Sequence, residues 1–175
     1  MDSEAGRDDV DQVIAARGGD RAAFAVLYGR YGRMVHGVLL ARVARAHVED
    51  LVQDVFLLAL QRLGSLREPE RFGGWLVMIA RNRAVDFHRR RRDTVELADD
   101  VAAPGADADA EALGVLAVLR RLPEAYREPL VLRLVEGMTG PEIARRTGMT
   151  EGSVRVNLHR GVKLLRAQLG VTTDA

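Results

Sequence analysis

The run TGPEIARRTGMTEGSVRVNLHRGVKLLRAQL, residues 139–169, decides the fold of the second half of the chain. Thr139 and Glu142 stand at the spacing of a capping box, which starts a helix, and Gly148 followed by Thr150 closes that short helix and starts another. A short helix over 141–147, a tight turn containing glycine and a longer basic helix over 150–169 make the pattern of a helix-turn-helix. At 100° per residue, Val154, Leu158, Gly161, Leu165 and Leu169 share one arc of the second helix, expected to face the core with Ile143 and Ala144. The opposite arc carries Val156, Arg160 and Lys163, with Ser153, Arg155 and His159 on its shoulders. Such a surface suits a DNA major groove: Arg160 forks onto guanine, Lys163 takes a phosphate and Val156 touches a thymine methyl. A solvated face on a helical hairpin would also account for two exposed bases, but the capping and turn spacing favour the groove.

Upstream, the same periodicity continues. Pro123 starts a helix that ends at Gly137, preceded by another over about 111–121. Near the N-terminus Val10, Val13 and Ile14 mark a short helix that stops at Gly18-Gly19. Asp20 caps the next, where Phe24, Leu27, Tyr28, Tyr31, Met34, Val35 and Val38 recur at three- and four-residue steps. A third helix carries Val48, Leu51, Val52, Val55, Phe56, Ala59 and Leu63, and a fourth runs from about Phe72 into Arg89-Arg90-Arg91-Arg92 with Phe72, Leu76, Ile79 and Phe87 on its core arc. Alternation of period two is absent, so the expected class is all-α.

Charge divides the chain. Residues 71–92 carry net +6, residues 93–111 carry −7 with no base at all, and residues 119–169 carry +5. The acidic stretch includes AAPGADAD, which has no apolar periodicity and few side chains able to offset the entropy of ordering. The expected organisation is therefore two small helical domains, 8–92 and 112–170, joined by a flexible acidic linker over 93–111, with the helix-turn-helix in the second. The overall net charge of +1 hides this segregation and decides nothing about partners.

Composition closes several routes. With 175 residues, 47% apolar, the chain is long enough for one medium domain or two small ones. It has no cysteine, which excludes disulfides and thiolate chemistry, and His36, His47, His88 and His159 match no metal spacing; no metal or cofactor is expected. Apolar runs fall far short of the roughly 18 residues of a membrane span, and the acidic N-terminus has no signal-peptide character, so no membrane insertion and a cytoplasmic location are expected. No nucleophile, metal set or phosphate loop can be assembled, which argues against an enzyme.

Two further surfaces invite a function. Trp75, Asn82 and Arg89 stand seven apart and line one shoulder of their helix, offering stacking, base-edge hydrogen bonding and phosphate contact to a single nucleic-acid strand. Trp75 reads equally as the edge of a core, and the Arg89–Arg92 run as a solvated helix end that suits the macrodipole. The third helix presents Glu49, Asp50, Gln53 and Asp54 beside Leu57; no histidine lies at a sequence spacing that would pair with these acids, so they suggest a protein-binding face rather than catalysis, with an ordinary solvated face as the alternative.

Four strings, HVEDLVQDVFLLAL (47–60), RFGGWLVMIARNRAVDFHRRRR (71–92), RLPEAYREPLVLRLVEGMTGPEIARRTGMT (121–150) and EGSVRVNLHRGVKLLR (151–166), resemble bacterial extracytoplasmic-function (ECF, group IV) sigma factors in order and spacing over nearly the whole chain. The resemblance implies a first domain, sigma region 2, that binds the polymerase clamp and opens the minus-10 element. It also implies a second, region 4, that reads the minus-35 element. It places Asp50, Gln53 and Asp54, with Leu57 beside them, in the polymerase-binding motif. Asn82 falls beside a pocket for a flipped minus-10 base, and the 65–71 loop in the segment that gives minus-10 specificity. Ser65, Arg67, Arg71, Trp75, Asn82 and Arg89 are then the minus-10 candidates. Arg155 and Arg160 match DNA-contacting positions, and Ser153, Val156, Asn157, His159 and Lys163 complete the minus-35 candidates. Val156-Asn157 departs from the Ser-Arg common in the family. The partners implied are core RNA polymerase, promoter DNA and an anti-sigma factor. A stand-alone helix-turn-helix regulator and a sigma-mimic adaptor that sequesters an anti-sigma protein are the alternatives; the first leaves the Trp75-Asn82 row without a task, and the Arg-rich readout helices speak against the second.

Overall fold

A computed structural model describes residues 2–94 and 107–170, with side chains over 7–92 and 114–170. Among the described residues there are eight α-helices and no strand: α1 Asp2–Arg17, α2 Arg21–Leu40, α3 Val48–Arg62, α4 Phe72–Thr94, α5 Asp107–Arg121, α6 Glu124–Leu134, α7 Gly140–Thr147 and α8 Glu151–Gln168. The first helix begins well before the apolar triad that marks it in the sequence. Helix α5 begins four residues before Glu111, inside the stretch expected to be linker; residues 95–106 of that stretch lie outside the described residues.

The helix ends obey local chemistry. Asp20 accepts from the backbone N–H groups of Ala22 and Ala23 at 2.8 and 3.1 Å, starting α2 directly after Gly19, whose φ of +99° a side chain would resist. The Thr139–Glu142 capping box is closed in both directions at 3.3 and 2.8 Å. Gly148 ends α7 in the left-handed conformation, and the Thr150 hydroxyl then caps α8 at Ser153 N–H.

In the first half, Leu27, Tyr31, Met34, Val35 and Val38 of α2 pack against Val52, Val55 and Ala59 of α3 and Phe72, Leu76 and Ala80 of α4. In the second, Leu119, Leu130, Val131, Ile143, Val154 and Leu165 form the core. Gly161 lets α8 close on α6: a Cβ there would stand 2.8 Å from Leu130 Cδ1. The expected apolar positions are covered with three exceptions, since Ile14, Tyr28 and Leu169 are exposed. Leu169 lies past the end of α8, as its C-cap.

The two halves are packed together. Glu128 of α6, 2% exposed, forms an ion pair with Arg42 Nη1 at 2.7 Å and accepts from Arg81 Nε and Nη2 at 3.1 and 2.8 Å, both arginines belonging to the first half. Arg120 of α5 donates to the carbonyls of Leu40 and Val43 at 3.1 and 2.6 Å, a cation at the C-terminal end of α2; burial lowers its pKa. Arg145 lies 3.5 Å from Asp9, and Arg146 sits over the Tyr31 ring at 5.4 Å. Gly73 meets α7 so closely that a Cβ would stand 2.2 Å from the Arg146 carbonyl oxygen.

His36 adds a titratable link. Its Nδ1 lies 2.6 Å from Glu136 Oε1 and its Nε2 3.5 Å from Glu49, and the pKa is raised, chiefly by the Glu136 hydrogen bond and against the effect of desolvation. A raised pKa means that the folded chain binds the proton more tightly than the unfolded one. The stabilisation is therefore full below about pH 6.5 and is lost as pH rises through the raised value. A His36→Gln variant should be less stable than the parent at pH 6 and converge on it in alkaline solution; urea midpoints that differ equally at both pH values would remove His36 from this role.

Candidate nucleic-acid interface

Helix α8 separates its faces as its sequence demands. Val154, Gly161 and Leu165 are buried, whereas Ser153, Arg155, Val156, His159, Arg160 and Lys163 are exposed and Asn157 and Leu158 are partly so. Thr150 bonds the Ser153 hydroxyl at 2.8 Å, so Ser153 belongs to the cap as well as to the exposed face. The seven candidate groups of α8 thus lie on an accessible, cationic surface that follows the Gly148–Thr150 turn. That surface offers a bidentate donor, a point charge and a methyl-bearing side chain to base edges and phosphates.

The first half presents two clefts. One, about 510 Å³, is lined by Asn82 with Leu58, Arg62, Ile79, Arg83, Val85, Asp86 and Arg90, between α3 and α4. An amide flanked by an exposed valine and several guanidinium groups provides base-edge hydrogen bonding, apolar contact and phosphate attraction together. The other, about 570 Å³, brings together Ser65, Arg67, Arg71, Trp75 and Met78 and is walled on its far side by Arg145, Thr147 and Gly148 of the second half. Both volumes are in the range of ligand sites.

The structure therefore divides the Trp75-Asn82-Arg89 row. Trp75 is half-buried, packs on Phe72 with ring centroids 5.9 Å apart, and still forms a wall of the loop cleft, so it is both core edge and surface. Asn82 opens into the α3–α4 cleft, and Arg89 is exposed, paired with Asp86 at 3.1 Å. Arg62 and Val85 are not singled out by the sequence, and Arg90 is read there only as part of the basic helix end. Val85 is 64% exposed three residues from Asn82, an apolar residue off the core arc beside a polar candidate, and that spacing was the available signal.

On α3, Glu49, Asp50 and Gln53 are exposed, with Leu57 and Leu60 uncovered beside them, giving an acidic rim around an apolar centre. Asp54 differs: it pairs with Arg83 of α4, tying the patch to the Asn82 cleft. No group of acids and histidines among the described residues is arranged to hold a metal ion, and no helix among them is long and apolar enough to cross a membrane.

Comparison with known proteins matches both halves. The Sigma-70 region 2 family matches residues 27–94, and the Sigma-70, region 4 family matches residues 112–165. The RNA polymerase sigma factor CarQ of Myxococcus xanthus is 36% identical over 163 residues, covering 88% of this chain and 93% of CarQ. The ECF RNA polymerase sigma factor BldN of Streptomyces coelicolor is 34% identical over 168 residues, covering 89% of this chain; the chain spans 64% of BldN's length. Among solved structures, CnrH in complex with the cytosolic domain of CnrY superposes with a TM-score of 0.66 at 27% identity, covering 95% of this chain and 99% of CnrH.

Proposed function

Because the chain belongs to the ECF sigma factors, which bind core RNA polymerase, recognise promoters and are not enzymes, we propose that it reads a minus-35 element with α8 and a melted minus-10 element with α4 and the 65–71 loop. The observation that carries this reading is the segregation of α8, whose apolar residues are buried while Arg155, Arg160 and Lys163 stand exposed on one rigid face. In the first half, the Asn82 cleft takes an unstacked base, with Arg62 and Arg90 toward its phosphates. Asp50, Gln53, Asp54 and Leu57 meet the polymerase: the acids steer association with a basic partner surface, and Leu57 supplies apolar contact. The complex of CnrH with CnrY supports a second protein partner for this chain, an anti-sigma factor.

Run-off transcription with core polymerase, with and without this chain, tests the reading; a transcript that starts at a defined site only when the chain is present is the expected result. Two substitutions in α8 should then differ in kind. Arg160→Ala should cost about 1 to 3 kcal/mol and relax preference at one base pair, while Lys163→Ala should weaken all duplexes alike and lower the salt slope by about one unit. Equal losses on specific and random duplex for both variants would remove α8 from sequence readout.

A further inference from the structure

Helix α1 lies N-terminal to the matched region 2 segment, which begins at residue 27, and its contacts converge on one feature. Val13 and Ala16 bury themselves in the first core. At the C-terminal end of α1, Arg17 Nη1 donates to the backbone carbonyl of Leu66 at 3.0 Å, across 49 residues of sequence. Leu66 is the buried, extended residue between two 3-10 turns, Leu63–Ser65 and Pro69–Arg71, while Ser65, Arg67, Glu68, Glu70 and Arg71 around it are exposed. Further along α1, buried Asp9 accepts from the Tyr31 hydroxyl at 2.8 Å. The Tyr31 ring packs edge-on against Phe72, centroids 5.1 Å apart, and Phe72 is the residue at which the loop becomes α4. The first helix thus reaches both ends of the loop: directly at Leu66, and through Tyr31 at Phe72.

We infer that α1 sets the position of the 65–71 loop for base reading and that Arg17 is a positioning residue for minus-10 specificity. The inference rests on the proposed role of this loop at the melted strand. An exposed loop that reads a base edge must be held to about half an ångström, whereas contacts to phosphates tolerate larger shifts. A carbonyl in an extended segment has no helical donor of its own, and a guanidinium supplies a charge-assisted one. Loss of that bond frees the loop backbone while Leu66 keeps its side chain in the core. Base discrimination should therefore fall more than overall promoter binding.

The test uses the full chain with core polymerase and a promoter library randomised at both elements, together with hydrogen exchange of the free chain. In Arg17→Ala the ratio between preferred and disfavoured minus-10 bases should shrink by about threefold to tenfold, the range of one hydrogen bond, with minus-35 preferences unchanged. Arg17→Lys should recover part of the loss, because its ammonium reaches the same carbonyl from a stem of similar length. Arg17→Met keeps much of the apolar stem and separates lost packing from the lost bond; it should behave as Arg17→Ala. Backbone exchange over 66–71 should rise in the Ala and Met variants, and exchange over 51–59 should not. Unchanged minus-10 preference in the Ala and Met variants, or an equal loss at both elements with a lowered melting temperature, overturns the inference. A parent protein that shows no minus-10 preference at all would instead refute the role of the loop, and the exchange measurement would still report whether Arg17 holds it.

Discussion

Glu128→Leu should destabilise the chain by about 3 to 5 kcal/mol, the cost of removing one partner from a buried ion pair. Glu128 is nearly inaccessible and faces two guanidinium groups, those of Arg42, whose side chain is 8% exposed, and Arg81. The hydrogen bond to Glu128 is the chief cause of the raised Arg81 pKa, so its charge is held in place by this carboxylate. With leucine at 128, Arg81 can swing into water, but Arg42 keeps only Glu124 and the Val38 carbonyl and stays where water reaches poorly. The cheapest response is for the two halves to part and hydrate both cations. Urea denaturation should therefore show a lower midpoint, and small-angle scattering a larger radius of gyration. An unchanged midpoint and radius would mean that the Glu128 cluster does not hold the halves together.

Gly73→Val tests the same seam by steric means. Its Cβ would stand 2.2 Å from the Arg146 carbonyl oxygen and 3.0 Å from Tyr31 Cε1. The first of these is backbone and cannot rotate away, so α4 and α7 must separate. Overpacking of this kind costs about 1 to 3 kcal/mol. If both substitutions act on one interface, the double variant Glu128→Leu, Gly73→Val should be no less stable than the worse single variant by more than a few tenths of a kcal/mol, since a seam already open has nothing further to lose. Fully additive losses would show two independent structural roles.

The sequence made the local chemistry legible and left the long-range chemistry hidden. The Thr139–Glu142 box and the Asp20 cap were readable because their partners are two or three residues away. The buried arc of α8 was readable because one face meets one core. On α4 the expected arc of Phe72, Leu76, Ile79 and Phe87 omitted Val77, Ala80 and Ala84, all buried. That helix packs against α2 and α3 in its own half and against α7 in the other, and a helix covered on more than one side loses its single-stripe periodicity. Glu128 reads in sequence as an ordinary mid-helix glutamate; its partners at positions 42 and 81 are fixed only by how the halves dock. Asp54 and Arg83, 29 residues apart, pair across two helices by no spacing rule. For the site, the α8 face was readable residue by residue, whereas the separation of Trp75 from Asn82 into different clefts depends on where the 65–71 loop and α7 lie.

The docked arrangement also sets a ruler. Elements centred at minus-35 and minus-10 are 25 base pairs apart, about 85 Å along B-form DNA at roughly 3.4 Å per pair. A compact chain of 175 residues has a radius of gyration of about 16 Å and a breadth near 40 Å. Docked, the molecule can touch one element but not both, so the holoenzyme geometry proposed for it requires the seam around Glu128 to open. If the competent, extended form is a minor population, the affinity measured for polymerase falls in proportion to that fraction. Each 1.4 kcal/mol held in the seam would lower it about tenfold.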